Sequence, residues 1–208
     1  MSGTVLIGKL LGIDVRIHFS WIIIFALVAI SLANSYLPRT YPGWSLGQYW
    51  AVGFVGSVLL FVCVLIHEFS HSFEAIRRGL KVSRITLFLL GGVSEIEEES
   101  RNASEEFWIS FVGPATSLLL ALFFCLLYYS LRSLNPQISA LVQYLGLVNL
   151  FIGLFNLVPA FPLDGGRALR ALLWRTTGSE TRATSIAGRV GLAFGAAFMG
   201  FGIVIMVV

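Results

Sequence analysis

Charged residues are scarce in this sequence. Asp, Glu, Lys and Arg together make up 12% of the 208 residues, while 57% are hydrophobic. A soluble domain carries about 25% charged residues, roughly twice this fraction. The composition therefore excludes an ordinary soluble domain and predicts an integral membrane protein. The net charge is only +3, and the arginines stand in short clusters between apolar runs, so we expect no nucleic-acid partner.

Cysteine is almost absent as well. The chain has two cysteines, Cys63 and Cys125, and both lie inside apolar runs. This placement excludes a disulfide framework and a cysteine-type zinc site, and it favours a packing role for Cys63 with pocket lining as the alternative. The first apolar run starts late and is long, so we do not expect a cleavable signal peptide.

Long apolar runs fill most of the chain. A membrane-spanning helix needs about 20 apolar residues, and the candidate spans are 18–37, 50–77, 107–131, 138–158 and 185–208. Two further stretches, 4–19 and 82–97, contain β-branched residues interrupted by glycine and predict a short hairpin and a strand. The predicted fold is a mainly α, polytopic membrane protein. It is a bundle of about five to six transmembrane helices with a small membrane-associated β-sheet, in one domain over residues 1–208.

Basic residues alternate along these spans. The numbers of Lys and Arg are 2 before the first run, then 1, 5 and 1 between successive runs, and 5 after the fourth run. Because cytoplasmic loops are enriched in Lys and Arg, this alternation predicts a cytoplasmic N-terminus. We expect a multi-pass protein of the cell membrane, meaning a plasma or inner membrane.

The second span carries the sequence HEFSH at residues 67–71. His67 and His71 are four residues apart, so a helix places them on one face, where two imidazoles can hold one Zn²⁺. Glu68 projects about 100° away and is placed to take a proton from water rather than to bind the metal. Inserting a charged side chain at the centre of a membrane-spanning helix costs roughly 2.5–3.5 kcal/mol. A chance occurrence of this pattern of two histidines and a glutamate is therefore less expected here.

A catalytic zinc needs a third protein ligand. His18 is better explained as an interfacial residue, Glu74 as the partner of neighbouring arginines, and Glu95 lies in a strand-like stretch among other acids. Asp164 is the favoured candidate. It is the only acid in FNLVPAFPLDGGRALR, where prolines and glycines are expected to break the fourth span and so line a site at membrane depth.

These motifs resemble the site-2 protease family of intramembrane zinc metalloproteases. The resemblance rests on HEFSH at 67–71 and NLVPAFPLDGGR at 156–167, with GGVSEI at 91–96 and FVGPATS at 111–117 between them. It implies one zinc per chain held by His67, His71 and Asp164, with Glu68 as general base. It also implies that Asn156 helps to bind the scissile carbonyl, although a local helix cap is an alternative role for this residue.

The resemblance further implies a function. The expected activity is zinc-dependent hydrolysis of a peptide bond in or near the transmembrane segment of a single-span, membrane-tethered protein, as in regulated intramembrane proteolysis. The alternatives are a membrane metal carrier and a catalytically silent scaffold, and self-association into a homo-oligomer stays open. Family members usually have a sixth span, and many have a nucleotide-binding tail, so we expect both to be missing from this sequence.

Substrate is expected to bind beside the metal. The stretch Ile85–Ile96 has strand-like composition and follows the HEFSH helix directly. We predict that it is a strand with a free edge, and that substrate backbone pairs with it as an added strand. Gly91, Gly92 and Val93 are the predicted substrate-binding residues, since glycine allows another backbone to approach closely.

Overall fold

The computed structural model describes residues 3–89 and 91–207, with side chains through residue 206. The strands are β1 (Thr4–Leu10), β2 (Ile13–His18), β3 (Val82–Phe88) and β4 (Gly91–Ile96), and the helices are α1 (Ser20–Ser31), α2 (Leu37–Thr40), α3 (Leu46–Arg77), α4 (Ala103–Leu131), α5 (Pro136–Asn156), α6 (Asp164–Thr177) and α7 (Glu180–Val207). A π-helical turn, Leu32–Tyr36, joins α1 to α2.

Five helical segments are long and apolar enough to cross a membrane. They are the α1–α2 run, α3, α4, α5 and α7. The strands form one four-stranded sheet in the order β1-β2-β3-β4. The predicted fold class, a multi-pass helical membrane protein with a small sheet, is therefore confirmed.

The sheet combines two hairpins. β1 and β2 pair antiparallel, as predicted for residues 4–19, and reverse at Leu11 and Gly12, whose φ angles are 48° and 86°. β2 then pairs in parallel with β3, so α1 to α3 form the crossover between these two strands. This crossover places the sheet against the end of α3 that carries HEFSH.

The prediction of one strand over Ile85–Ile96 is wrong. The stretch folds into the antiparallel strands β3 and β4, with Phe88 opposite Gly91. Gly91 has a φ of 132°, a backbone conformation that side chains rarely permit, and this lets the chain reverse there. Of these two strands only β4 has a free edge, because β3 is paired on both sides.

Helix α3 is longer than a membrane requires. Its 32 residues extend over about 48 Å at 1.5 Å per residue, against a hydrocarbon core of about 30 Å. Its N-terminus has a capping box in which the Ser45 side chain accepts from the Gln48 backbone. Near its C-terminus Glu74 pairs with Arg78 at 2.7 Å, the local ion pair expected for this acid. His67 and His71 lie two to three turns before this end.

The expected break lies at residues 157–163, between α5 and α6, and not in the middle of a span. Helix α5 continues without interruption to Asn156, and Asp164 begins the separate amphipathic helix α6. Between them the chain folds back onto the start of α6. A Cβ at Gly165 would overlap the carbonyl oxygens of Leu157 and Val158, and a Cβ at Gly166 would come within 2.7 Å of the loop backbone. The two glycines after Asp164 therefore allow this close packing.

An ion pair attaches α6 to α4. Arg170 Nε donates to Glu106 Oε1 at 2.7 Å, and the Glu106 side chain is completely buried. Removing one partner of a buried pair leaves the other charge uncompensated, which typically costs about 3–5 kcal/mol.

We expect Arg170→Met to lower the free energy of unfolding by about 3–5 kcal/mol, since Glu106 stays buried without its partner. Pairing it with Glu106→Gln should recover most of this loss. The measurement is equilibrium unfolding by increasing SDS in mild detergent. A single variant as stable as the parent would show that the pair does not hold α6 in place.

Candidate active site

Three predicted ligand side chains meet between α3 and α6. The Nε2 atoms of His67 and His71 are 3.2 Å apart, and each lies 3.2 Å from Oδ2 of Asp164. Both imidazoles are buried, and Asp164 is half-buried. Their helices are far apart in sequence, so the packing of α6 brings the carboxylate to the histidines.

Helix α4 supplies the groups that orient both imidazoles, through contacts with their Nδ1 atoms. His71 Nδ1 donates to the backbone carbonyl of Ile109 at 2.6 Å, and His67 Nδ1 lies 2.8 Å from the Ser117 hydroxyl. The Ile109 carbonyl can only accept, so the Nδ1 of His71 carries a proton and the lone pair of its Nε2 points toward the other ligands. Such contacts on the second ring nitrogen are typical of histidine ligands.

The three ligand atoms have a spacing that suits zinc. Tetrahedral ligands at 2.0–2.1 Å from zinc are about 3.3 Å apart, close to the observed separations. Two imidazole lone pairs and a carboxylate oxygen facing one another repel unless a cation lies between them. The residues present therefore fit a zinc ion.

Asp164 has the charge state that a ligand needs. Burial raises the pKa of its carboxyl group, but hydrogen bonds and charge interactions with His67 and His71 in their protonated forms outweigh burial and hold the pKa below its usual range. Positive charge at this position, from a protonated imidazole or from a metal ion, therefore stabilises the carboxylate.

Gly113 permits the close approach of α4 to the two histidines. A Cβ at this position would overlap the His71 imidazole and come within 2.8 Å of His67 Nε2. The sequence FVGPATS marked this segment of α4, but only the packing reveals that Gly113 makes room for the ligands. Ile109 and Ser117 were missed for the same reason, because backbone carbonyls and single serines carry no recognisable pattern.

Glu68 lies beside the ligands, against β4. A Cβ at Gly92 would overlap Cγ of Glu68 and lie 3.0 Å from its Cδ, so the strand and the acid are in direct contact. The Ser94 hydroxyl is 3.1 Å from Oε2 of Glu68. The side chain is half-buried and lines the same cavity as the ligands.

This cavity has a volume of about 540 Å³. The predicted site residues that line it are His67, Glu68, His71, Gly91, Gly92, Val93, Asn156 and Asp164. The Asn156 amide donates to the Ile152 carbonyl at 3.0 Å, which leaves its second N–H free for another acceptor. Arg167, one turn after Asp164, also lines the cavity, and the sequence reasoning did not single it out.

The alternative ligands lie elsewhere. Glu95 pairs with Arg84 at 2.8 Å, Glu74 pairs with Arg78, and His18 contacts Ser20 at the end of β2. Cys63 is buried in α3 and is not among the described residues that line the cavity. None of these side chains joins the group of three ligand atoms found in the described part of the chain.

Known proteins resemble this chain in sequence and in structure. Residues 55–135 and 128–198 match the model of peptidase family M50. The chain is 38% identical over 195 residues to the candidate zinc metalloprotease sll0528 of Synechocystis, covering 94% of this chain and 51% of the relative. It is 31% identical over 207 residues to zinc metalloprotease MJ0392 of Methanocaldococcus jannaschii, covering 99% and 56%.

A solved structure has the same fold. The site-2 protease from Methanocaldococcus jannaschii superposes with a TM-score of 0.64 at 30% identity, covering 98% of this chain and 86% of the other. The chain spans about half the length of the curated relatives it matches. The matches in sequence, fold and metal-binding geometry agree, and the chain belongs to peptidase family M50, the site-2 protease family of zinc metalloproteases.

Proposed function

We propose that this protein is a zinc-dependent intramembrane endopeptidase. Its substrate is a membrane-tethered, single-span protein, cleaved in or near its transmembrane segment in regulated intramembrane proteolysis. The observation that carries the proposal is the joint placement of His67, His71, Asp164 and Glu68 on one cavity, with the histidines and Glu68 on a membrane-spanning helix. One zinc per chain is expected, since the described residues contain one such group.

The geometry supports a role for each of these residues. Zinc bound by the three side chains supplies Lewis-acid activation of water and of the scissile carbonyl. Glu68 accepts the proton of the attacking water and returns it to the leaving amine. The free N–H of Asn156 donates to the carbonyl oxygen as negative charge develops on it. Buried partners on α4 hold the imidazoles in place, so little rearrangement is needed when substrate arrives.

The membrane arrangement explains how water reaches the bond. The basic-residue alternation favours a cytoplasmic N-terminus in a plasma or inner membrane. It also favours a cytoplasmic position for the C-terminal end of α3, with Arg77 and Arg78. His71 precedes this end by roughly 10 Å along the helix, so the cavity is within reach of cytoplasmic water.

Two rival functions make different predictions. A metal carrier or a silent scaffold would use the three ligands without needing Glu68 or Asn156 on the same cavity. The test combines elemental analysis of the purified chain with cleavage of a single-span model substrate in bicelles. Zinc together with cleavage supports the peptidase, whereas zinc without cleavage for every substrate tried supports a rival.

We further propose that substrate adds to the free edge of β4. The reasons are that β4 is one of the two edge strands of the sheet and that its first three residues line the cavity. An extended, unwound substrate would pair its backbone there, beside Glu68.

A proline scan of Gly91–Ile96 tests this pairing, because proline removes one backbone N–H. Prolines at alternate positions of β4 should lose cleavage but retain zinc, while those facing β3 should lose both. Prolines at Thr86 and Leu87 are the controls, since β3 is paired on both sides, and these should always damage the fold. If every zinc-retaining β4 variant cleaves as well as the parent, substrate does not pair with this strand.

A further inference from the structure

One face of β4 lies directly against the proposed general base. Side chains of a strand alternate between its two faces, so Gly92 and Ser94 share a face and Val93 points away. Gly92 contacts the aliphatic part of Glu68, and Ser94 reaches its carboxylate. The strand therefore contacts both parts of the acidic side chain.

Two serine hydroxyls and this carboxylate form a short hydrogen-bond chain. Ser72, which is fully buried on α3, donates to Ser94 Oγ at 3.1 Å. The Ser94 hydroxyl lies 3.1 Å from Glu68 Oε2 and 2.9 Å from the Glu68 backbone oxygen. A hydroxyl has one proton to donate and can accept as well. With Ser72 as donor to Ser94, the Ser94 proton is shared between two acceptors on Glu68, the backbone oxygen and Oε2.

Only one of the two carboxylate oxygens is used. Glu68 Oε2 faces Ser94, while Oε1 has no hydrogen bond to the described residues 3–89 and 91–207. A glutamate side chain has three rotatable bonds. Without a restraint, it populates conformations in which the carboxylate does not reach the reacting water. A hydrogen bond to one oxygen restricts these rotations and leaves the other oxygen to accept a proton.

We propose that Ser94 is a positioning residue that orients Glu68 for general-base catalysis. The proposal rests on the proposed peptidase function and adds a residue to it. Ser94 does not bind the metal, and it acts on the reaction through the orientation of the Glu68 carboxylate. Misplacing a reacting group by about 1 Å can cost as much as 10²-fold in rate, so the effect of this bond falls on kcat.

The test is the kinetics of Ser94→Ala in the purified full chain with zinc bound. A hydrogen bond to a charged group is worth about 1.5–3 kcal/mol, so kcat should fall by about 10- to 100-fold. KM should change by less than about twofold, and zinc content should match that of the parent, because the variant keeps the β4 backbone with which substrate is proposed to pair and leaves the three ligand side chains unaltered. Ser94→Thr, which keeps the hydroxyl, should restore most of the lost activity.

Ser83→Ala is the matched control. Ser83 lies on β3 of the same sheet and donates to the Glu95 backbone oxygen at 3.3 Å, without contacting Glu68. This variant should cleave like the parent.

A second comparison separates positioning from general loss of structure. In a Glu68→Asp background the carboxylate is one methylene short of the Ser94 hydroxyl, so adding Ser94→Ala should lower activity by less than about twofold. An equal loss in both backgrounds would overturn the proposal. Unchanged kcat in Ser94→Ala, loss of zinc from it, or failure of threonine to restore activity would also overturn it. A parent chain that cleaves no substrate would instead refute the peptidase function itself.

Discussion

Glu68→Gln is expected to retain zinc and to lose cleavage by at least about 10²-fold, the lower end of the contribution of a general base. The amide has nearly the same shape as the carboxylate but cannot accept a proton from water. Glu68 is not one of the three ligand side chains, so the metal-binding group is left intact. The measurement is the initial rate of cleavage of a single-span model substrate, with zinc content determined on the same sample.

Glu74→Gln is the control for this variant. Glu74 is the other acid of α3, lies beyond the cavity and pairs with Arg78, with which an amide oxygen can still bond. It should cleave at a rate close to that of the parent. Cleavage at a near-parent rate by the Glu68 variant would remove that residue from the proposed mechanism.

Asp164→Ala should bind zinc at least about 10²-fold more weakly, because even residues that only support a ligand contribute 10- to 100-fold. Two neutral imidazoles remain, and the anionic ligand is lost. Zinc content would be measured by elemental analysis after dialysis, and affinity by competition with a chromogenic chelator. Cleavage should fall in step with zinc occupancy.

Glu95→Ala is the control for the ligand assignment. Glu95 is one of the two other acids considered as a third ligand from the sequence, and it lies on β4 paired with Arg84. This variant should keep a full complement of zinc. Full zinc in the Asp164 variant would exclude Asp164 from the ligand set, and loss of zinc from the Glu95 variant would point to Glu95 instead.

Part of the metal site could be predicted because its geometry is local. His67 and His71 are one helical turn apart, so their convergence requires only that the segment be helical. Asp164 could be predicted because it is the only acid in its stretch of the chain. The contacts of Gly113 with the ligands and of Ser94 with Glu68 depend on how α4 and β4 pack against α3, and no periodicity in the sequence carries that information.

Hydropathy predicts the membrane spans, but it does not predict the residues at which the helices begin and end. Helix α4 begins at Ala103 rather than near residue 107, because Asn102 caps it by accepting from the Glu105 backbone at 3.0 Å. Its first turn carries Glu105 and Glu106, and both are buried. Because these residues are charged, an average of hydropathy along the sequence leaves them outside the span. The turn between β3 and β4 was missed for a related reason, since both strands have the same composition and only the backbone at Gly91 marks the reversal.

The separation of the ligands along the chain has a consequence for biosynthesis. Asp164 lies 93 residues after His71 and 97 after His67. A nascent chain therefore inserts both histidines and Glu68 into the membrane well before the residue that completes the trio has been translated. Until α6 emerges and packs against α4, the growing polypeptide holds two imidazoles without their carboxylate. With the proposed ligands, translation itself delays assembly of the metal site, and a chain terminated before Asp164 lacks one of the three side chains even if the rest of it folds.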